Sequence, residues 1–458
     1  MQKIHQNELN PEQLKPFLRL GKYLSEDFLR TAEEWLFLVR EYGISKGAPS
    51  VDSQEEYLRF LANVHDGWKK AQKSIAAFLI DALERLELSK ENEKAQHRFR
   101  NKKGQKQAKA STREINREID VARRMLDVVL WTIFKGEQST LRRLFVKGGQ
   151  HSLSKVNILD AMKAADYLNE DPQVMALSTD MLSSVHVGDL IISNPSKHET
   201  NFVELKAGEK NWAITATAIA VAQSKCELFE AIATAQYDAR DMKHYRRVKR
   251  QTQRNEMILQ TIRNEGGTDH NTGGRVFIRP MQEPAAFWAE NIMRCYEKLN
   301  KETAWAIDVI DKCVYLGVYS DQRSAFVGFQ GWMKVMGCES EIFNLTDSFR
   351  MSSTRPLGAT FLSWELQQKV LRGEILIIMC LDILKMIEVG NQISSGYLDL
   401  EKVEDSELRE HRQNGSIIYN GHLVRMNIGD QTMYMGEGIR ERILFDQQMP
   451  LQLLKEPF

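Results

Sequence analysis

The sequence lacks an excess of charge of either sign: its 458 residues include 62 Lys plus Arg and 62 Asp plus Glu. A balanced charge gives no overall attraction to nucleic acid, so any electrostatic binding must come from local clusters. The five cysteines are scattered and form no Cys-x-x-Cys pair. This argues against a disulfide framework or a zinc knuckle, and predicts a reducing, cytoplasmic setting.

Long apolar segments are also missing. The longest apolar run, residues 375–381, is far shorter than the roughly 20 residues that span a bilayer. The first residues contain no apolar core of the signal-peptide type, so we expect no membrane partner. The sequence also contains no GxxxxGK[ST] motif, which argues against a nucleotide-driven motor in this chain.

Composition and periodicity divide the chain into four predicted regions. They are a helical bundle (1–93), a basic linker (94–113), an α/β core (114–282) and a mixed α/β region (283–458). The linker holds eight Lys or Arg residues and no acid. Two interpretations of it stay open: a solvated connection, or an arm that neutralises phosphates through residues such as Lys102 and Lys103.

The core region contains two short apolar runs around a polar turn, in VGDLIISNPSKHETNFVELKAG (187–208). If the runs pair as antiparallel strands about the middle of that turn, Asp189 lies directly opposite Glu204. Lys206 then shares the face of Glu204, because side chains alternate along a strand. The opposite face is apolar and carries Leu190, Ile192, Val203 and Leu205.

The paired carboxylates predict a metal site. Directly opposed residues have Cβ atoms about 4.5–5.5 Å apart, and two carboxylates there repel unless a cation or a proton lies between them. Mg²⁺ binds one or two protein carboxylates and keeps several waters, and a metal-bound water can attack a phosphodiester. Lys206 could orient that water or neutralise developing charge. The alternative is a Glu–Lys salt bridge on a solvent-exposed sheet face.

These residues resemble the restriction-endonuclease-like nucleases of the PD-(D/E)xK superfamily. Gly188-Asp189 resembles the Asp motif, with Gly in place of the Pro of the family name, and Glu204-Leu205-Lys206 resembles the (D/E)xK motif. The resemblance covers about residues 125–280 and implies a core of a helix, three strands, a second helix and a fourth strand. It also implies that Asp189 and Glu204 bind Mg²⁺ or Mn²⁺ and that Lys206 is catalytic.

The resemblance further assigns the outer strands and two supporting residues. VMAL (174–177) would be the first strand and VFIR (276–279) the fourth. Many members place an acidic ligand on the first core helix, where Glu137 is the best match, although a helix start or a surface position explains it equally well. Some members place a Gln on the second helix facing the site, and Gln251 is the candidate.

The predicted second helix, about 221–264, contains a basic segment. Residues 240–254 hold seven Lys or Arg against one acid, with Tyr237 and Tyr245 interleaved. Such a segment beside a metal site would supply phosphate contacts, whereas the alternative is a solvated charged helix. The candidate nucleic-acid contacts are Arg246, Arg247, Lys249, Arg250 and Arg254.

We therefore expect an α/β (α+β) protein with a restriction-endonuclease-like mixed-sheet core. The expected function is a Mg²⁺- or Mn²⁺-dependent endonuclease of DNA, with RNA as the alternative substrate, similar to nucleases of bacterial restriction or phage defence. Its partners would be nucleic acid and either a second copy of the chain or a protein of such a defence system. The alternative function is a non-catalytic nucleic-acid-binding or scaffold protein with a degenerate nuclease fold.

Overall fold

The computed structural model describes residues 14–48, 53–144, 153–185, 187–197, 199–205, 209–224, 226–264, 266–268, 273, 275–277, 284–429 and 431–455. The α-helices are α1 (Glu26–Arg40), α2 (Tyr42–Ser45), α3 (Gln54–Arg98), α4 (Lys102–Ile133), α5 (Gln138–Leu144), α6 (Lys155–Leu168), α7 (Glu209–Ser224), α8 (Glu227–Thr234), α9 (Ala239–Arg263), α10 (Ala289–Glu297), α11 (Gln322–Ser324), α12 (Gln330–Met336), α13 (Trp364–Arg372), α14 (Ile383–Ile393), α15 (Asp405–Gln413), α16 (Glu437–Leu444) and α17 (Pro450–Lys455). Shorter 3₁₀ or π turns lie at Lys15–Phe17, Leu20–Tyr23, Pro195–Lys197, Ala325–Phe329, Leu345–Phe349 and Leu357–Ala359.

The strands are β1 (Met175–Ser178), β2 (Leu190–Asn194), β3 (Glu199–Val203), β4 (Gly266–Thr268), β5 (Arg275–Phe277), β6 (Trp305–Ile310), β7 (Val314–Tyr319), β8 (Ile342–Asn344), β9 (Leu376–Leu381), β10 (Leu398–Lys402), β11 (Ile418–Tyr419), β12 (His422–Ile428) and β13 (Gln431–Tyr434). Helices and antiparallel sheets together make an α+β protein, which confirms the predicted class at that level. Within the described residues, no helix combines the length and the apolar character needed to cross a membrane.

The chain forms two compact units that are discontinuous in sequence. The first contains the described residues of 1–42, 84–129 and 281–457, and the second those of 43–83 and 130–280. Both α3 and α4 contribute residues to each unit. The predicted region boundaries at 93 and 113 therefore fall inside helices.

The basic stretch 94–113 is helical, not an irregular linker. It forms the end of α3 and the start of α4, joined by a short turn in which Arg100 has a φ of 53°. The Asn101 side chain ends this turn by accepting a hydrogen bond from Gly104 N at 3.0 Å, which caps α4. Lys, Arg, Gln and Ala are good helix formers, and α4 gains an anchored face because Ala108 is buried.

The first unit contains a four-stranded antiparallel sheet in the order β6-β7-β9-β8. The hairpin of β6 and β7 turns at Asp311 and Lys312, which have positive φ values of 44° and 62°. Phe17, Tyr315 and Phe329 belong to the apolar cluster that covers this sheet. A second antiparallel sheet has the order β10-β12-β11, with β13 also paired to β12.

The second unit is built around a three-stranded antiparallel sheet in the order β1-β2-β3. Helix α6 packs on it through Ala161 and Ala165, whose small side chains allow close approach to Ala176 of β1. The predicted apolar face is confirmed, because all four of its residues belong to this cluster or pack against it: Leu190, Ile192, Val203 and Leu205.

Two side-chain amides cover the outer edge of β1. Gln72 of α3 donates to Ala176 O at 3.0 Å and accepts from Ser178 N at 2.9 Å. Asn169, at the end of α6, accepts from Ala176 N at 2.8 Å. An uncovered edge strand exposes unpaired backbone groups, so these amides take the place of a further strand.

After β3 the chain forms α7, α8 and α9 in place of the single predicted helix. Helix α9 packs on α7 through Tyr245 and Val248, which contact Ile214 and Ala218. Of the predicted fourth core strand, Val276 and Phe277 lie in β5, which pairs with β4 in a separate two-stranded sheet, and positions 278 and 279 lie outside the described residues. A short connection favours pairing with the nearest strand along the chain, and β4 is that strand.

Candidate active site

Backbone hydrogen bonds hold Asp189 at the start of β2. Gly188 before it has a φ of +71°, a conformation that favours glycine. Thr179, after β1, donates from its backbone N to Asp189 O at 3.0 Å and from Oγ1 to Gly188 O at 2.5 Å. The Asp189 carboxylate accepts a hydrogen bond from Leu205 N at 2.6 Å, and its backbone N donates to Val203 O at 2.8 Å. The carboxylate is thereby anchored to the end of β3.

The register of the β2–β3 hairpin is the predicted one, with Leu190 opposite Val203. The ladder ends at this pair, one step before Asp189 and Glu204. Asp189 N instead binds Val203 O, next to the left-handed Gly188. The simple alternation of side chains therefore does not extend to Asp189, and its surroundings are set by the turn.

Asp189 lines a cleft with a volume of about 760 Å³ on the side of α6. Two further carboxylates line it, Asp160 of α6 and Asp180 of the loop after β1. Helix α9 contributes Arg247, whose guanidinium lies 3.2 Å from His244 Nδ1. The cleft therefore combines carboxylates with a cation. Its other polar residues are Asn157, Lys163, Tyr167 and His244.

Glu204 lines a different cavity, of about 350 Å³, beside α7 and α9. Its Oε1 accepts two hydrogen bonds of 3.0 Å, one from Gln251 Nε2 and one from Asn255 Nδ2. Arg254 lies near this carboxylate: burial lowers the pKa of Arg254, and the negative charge of Glu204 raises it in part. The predicted supporting residue Gln251 thus contacts a predicted acidic residue directly.

The basic residues of α9 divide into two groups. Arg246, Arg247 and Arg250 are exposed. Lys249 instead forms an ion pair with Glu230 Oε2 at 2.5 Å, and this hydrogen bond lowers the pKa of Glu230. The exposed arginines are therefore placed to meet a large ligand, whereas Lys249 joins α9 to α8.

Tyr245 of α9 and Tyr237, which lies just before that helix, are packing residues. Tyr245 is fully buried and donates to Glu230 Oε1 at 3.0 Å, and burial raises its pKa. Tyr237 lies against it, with ring centroids 5.9 Å apart. Their spacing reflects the contact between α7, α8 and α9, so neither ring serves as the predicted interleaved surface for nucleic acid.

The remaining predicted residues either line neither of these two cavities or lie outside the described residues. Lys102 and Lys103 are exposed in the first turn of α4, within the first unit. Glu137 is exposed just before α5, whereas the helix that packs on β1 is α6. Lys206 lies outside the described residues.

Sequence reasoning missed the residues that accompany Asp189. Asn157 and Asp160 are three apart on α6, so they share a helix face, and Asp180 follows β1 by two residues. Placing the first core helix at α6 would have pointed to Asp160 in preference to Glu137. No local signal identifies His244 among the charged residues of α9.

The Asp189 cleft carries carboxylate oxygens, the type of donor that a hard divalent cation prefers. Within the described residues, no three His, Cys, Asp or Glu side chains are grouped as metal ligands. Mg²⁺ does not need three, because it binds through one or two carboxylates and retains waters. Asp160, Asp180 and Asp189 offer the oxygen ligands that Mg²⁺ and Mn²⁺ prefer.

Comparisons with protein-family models, with curated proteins and with solved structures find no match to this chain.

Proposed function

We propose that this chain is a metal-dependent nuclease that hydrolyses phosphodiester bonds, in DNA rather than RNA, with a restriction-endonuclease-like core in the second unit. One observation carries the proposal: basic helix α9 reaches both predicted carboxylates. Arg247 lines the cleft of Asp189, and Gln251 donates to Glu204. The order of α6, three antiparallel strands and further helices supports such a core.

Helix α9 would bind the phosphate backbone. Arg246, Arg247 and Arg250 are exposed over little more than one helical turn, and phosphate contacts from arginine dominate nucleic-acid affinity. His244, 3.2 Å from Arg247, restricts the position of that guanidinium. A strand bound along α9 would pass both carboxylates.

Asp189 would hold Mg²⁺ or Mn²⁺ in the cleft that Asp160 and Asp180 also line. Glu204 lines the other cavity, so its role as the second metal ligand rests on the sequence motif. The ion would supply an activated water and neutralise charge that develops on the phosphate. Gln251 and Asn255 hold the Glu204 carboxylate in one orientation, and Leu205 N does the same for Asp189. Outer groups of this kind tune metal affinity and activity. The catalytic role of Lys206 rests on the sequence motif.

The second candidate function is nucleic-acid binding without cleavage. Glu204 Oε1 already accepts two side-chain amide hydrogen bonds, an arrangement that is stable without an ion. In this case α9 would still bind phosphates, and the acidic residues would be structural.

The deciding experiment is a cleavage assay on supercoiled plasmid, end-labelled linear DNA and single-stranded RNA, each with Mg²⁺, Mn²⁺ or EDTA. The variants are Asp189→Asn, Glu204→Gln and Lys206→Ala. Glu199→Gln is the matched control, because Glu199 is an exposed carboxylate on β3. We expect metal-dependent nicking of the plasmid that the three site variants abolish and the control retains.

Other outcomes discriminate between the candidates. Cleavage that survives both Asp189→Asn and Glu204→Gln refutes the site. Tight binding without cleavage in any metal supports the second function. Digestion of linear DNA from its ends, with the plasmid intact, refutes the endonuclease assignment.

A further inference from the structure

The cavity beside Glu204 has the character of a small-molecule site. Its walls include Phe202, Ile219 and Leu259, while Gln251 and Asn255 supply amide groups. Ligand pockets are mostly apolar with a few placed polar groups and span about 300–1,000 Å³. At about 350 Å³ this cavity lies at the lower end and suits one compact ring system.

One polar atom of this wall, Asn255 Oδ1, is a hydrogen-bond acceptor that lacks a donor among the described residues. Asn255 donates through Nδ2 to Glu204 Oε1 at 3.0 Å, which fixes the orientation of its amide, since Oδ1 facing the carboxylate would be repelled. Asn255 Oδ1 is buried and has no hydrogen-bond donor among the described residues. A buried acceptor without a donor is energetically unfavourable, and a ligand N–H group would satisfy it.

The position of the cavity identifies the class of ligand. Its polar wall lies on α9, the helix that exposes Arg246 and Arg250. A base of a phosphate-bound strand would therefore be delivered beside it. Nucleic-acid-binding proteins hold an unstacked base between apolar or aromatic side chains and read its edge by hydrogen bonds.

We propose that this cavity receives one unstacked nucleobase, bearing an exocyclic amino group, from the strand bound along α9. Asn255 Oδ1 accepts a hydrogen bond from that amino group, and Phe202 contributes an aromatic wall. Thymine and uracil present a carbonyl oxygen where cytosine presents its amino group, so they leave Asn255 Oδ1 unsatisfied. The inference rests on the nucleic-acid binding in the proposed function, and not on cleavage.

The test compares oligodeoxycytidylate with oligodeoxythymidylate, each of about 12 nucleotides, by fluorescence anisotropy in EDTA. The two differ at the ring position that Asn255 would read. We expect the cytosine strand to bind about tenfold more tightly, the factor for 1.4 kcal/mol. Equal affinity for the two strands overturns the proposal.

Two variants test whether this cavity causes the preference for cytosine. Asn255→Leu removes the acceptor, and Ile219→Trp fills the cavity from a partly exposed wall position, so a folding defect in one does not decide the result. Both should bring cytosine binding down to the level of thymine. Gln253→Leu is the matched control, an exposed amide on the same helix, and should retain the preference. If the preference for cytosine over thymine survives both cavity variants, the base is recognised at another site and the proposal is wrong.

A further arm identifies the source of the base. Free dCMP should bind far more weakly than the oligonucleotide, because it lacks the neighbouring phosphates; equal affinity overturns the assignment to a strand. Cleavage is measured separately. A cytosine preference without cleavage in any metal refutes the nuclease proposal and supports the base site. Cleavage without a cytosine preference supports the nuclease proposal and refutes the base site.

Discussion

Because His65 of the second unit is buried, we predict that the free energy of unfolding falls in mild acid. Its side chain is fully buried on α3, with Nδ1 3.3 Å from Pro172 O and its ring 5.3 Å from that of Trp68. Burial, together with the positive charge of Lys69, lowers the pKa of His65 from 6.5 to about 4. The folded protein therefore holds a neutral imidazole that the unfolded chain would protonate in mild acid.

The direction and the size of this loss of stability follow from the pKa values of His65 in the unfolded chain and in the folded protein. Between pH 6.5 and pH 4 the unfolded chain binds more protons at His65 than the folded protein does, so stability falls as the pH falls. The His65 contribution is fully present above pH 6.5 and is lost as the pH drops to about 4. At 1.36 kcal/mol per pKa unit, the loss in the free energy of unfolding is about 3 kcal/mol.

The assay is urea unfolding of the wild type and of His65→Gln at several pH values between 7 and 4. Gln cannot be protonated in this range and can still donate to Pro172 O. The wild type should lose about 3 kcal/mol more than the variant on acidification. His97→Gln is the control, because His97 is exposed and should give no such difference. An NMR titration that finds the His65 imidazole protonating near pH 6.5 would refute the reasoning.

Three further predictions concern side chains with defined partners. Gln72→Leu leaves buried Ser178 N without its acceptor and should lower the free energy of unfolding by about 1–3 kcal/mol in urea; no measurable loss would contradict the role of Gln72 as an edge cover. Asp127→Asn removes the partner of buried Arg124, 2.7 Å away, and should cost about 3–5 kcal/mol in the same assay; a loss under 1 kcal/mol would contradict it. Arg247→Gln should weaken DNA binding for all sequences and reduce the slope of log affinity against log salt by about one; an unchanged slope would remove Arg247 from the phosphate contacts.

Local features of the site follow from the sequence. The β2–β3 register and its apolar face are predicted because the strands pair across a short turn, where chain connectivity leaves few alternatives. Gln251 is predicted from the family resemblance and donates to Glu204 Oε1 at 3.0 Å, while its supporting role in the site stays a prediction.

Other features depend on packing between distant segments. Alternation along a strand predicts that Asp189 and Glu204 share a face, but the positive φ of Gly188 and the bond from Asp189 N to Val203 O end the ladder before them. Asp160 joins Asp189 only because α6 packs on the sheet. Lys249 is not among the exposed cations, because it forms an ion pair with Glu230 of α8.

By itself, then, the sequence determined the α+β class, the hairpin that carries the acidic motif and the basic character of the helix that meets it. These depend on periodicity, turn residues and short separations along the chain. The tertiary structure alone decided which carboxylates line which cavity, which cations stay exposed and that an unsatisfied amide oxygen sits beside Glu204. Those features arise from contacts between residues far apart in sequence, whose pairing no local pattern encodes.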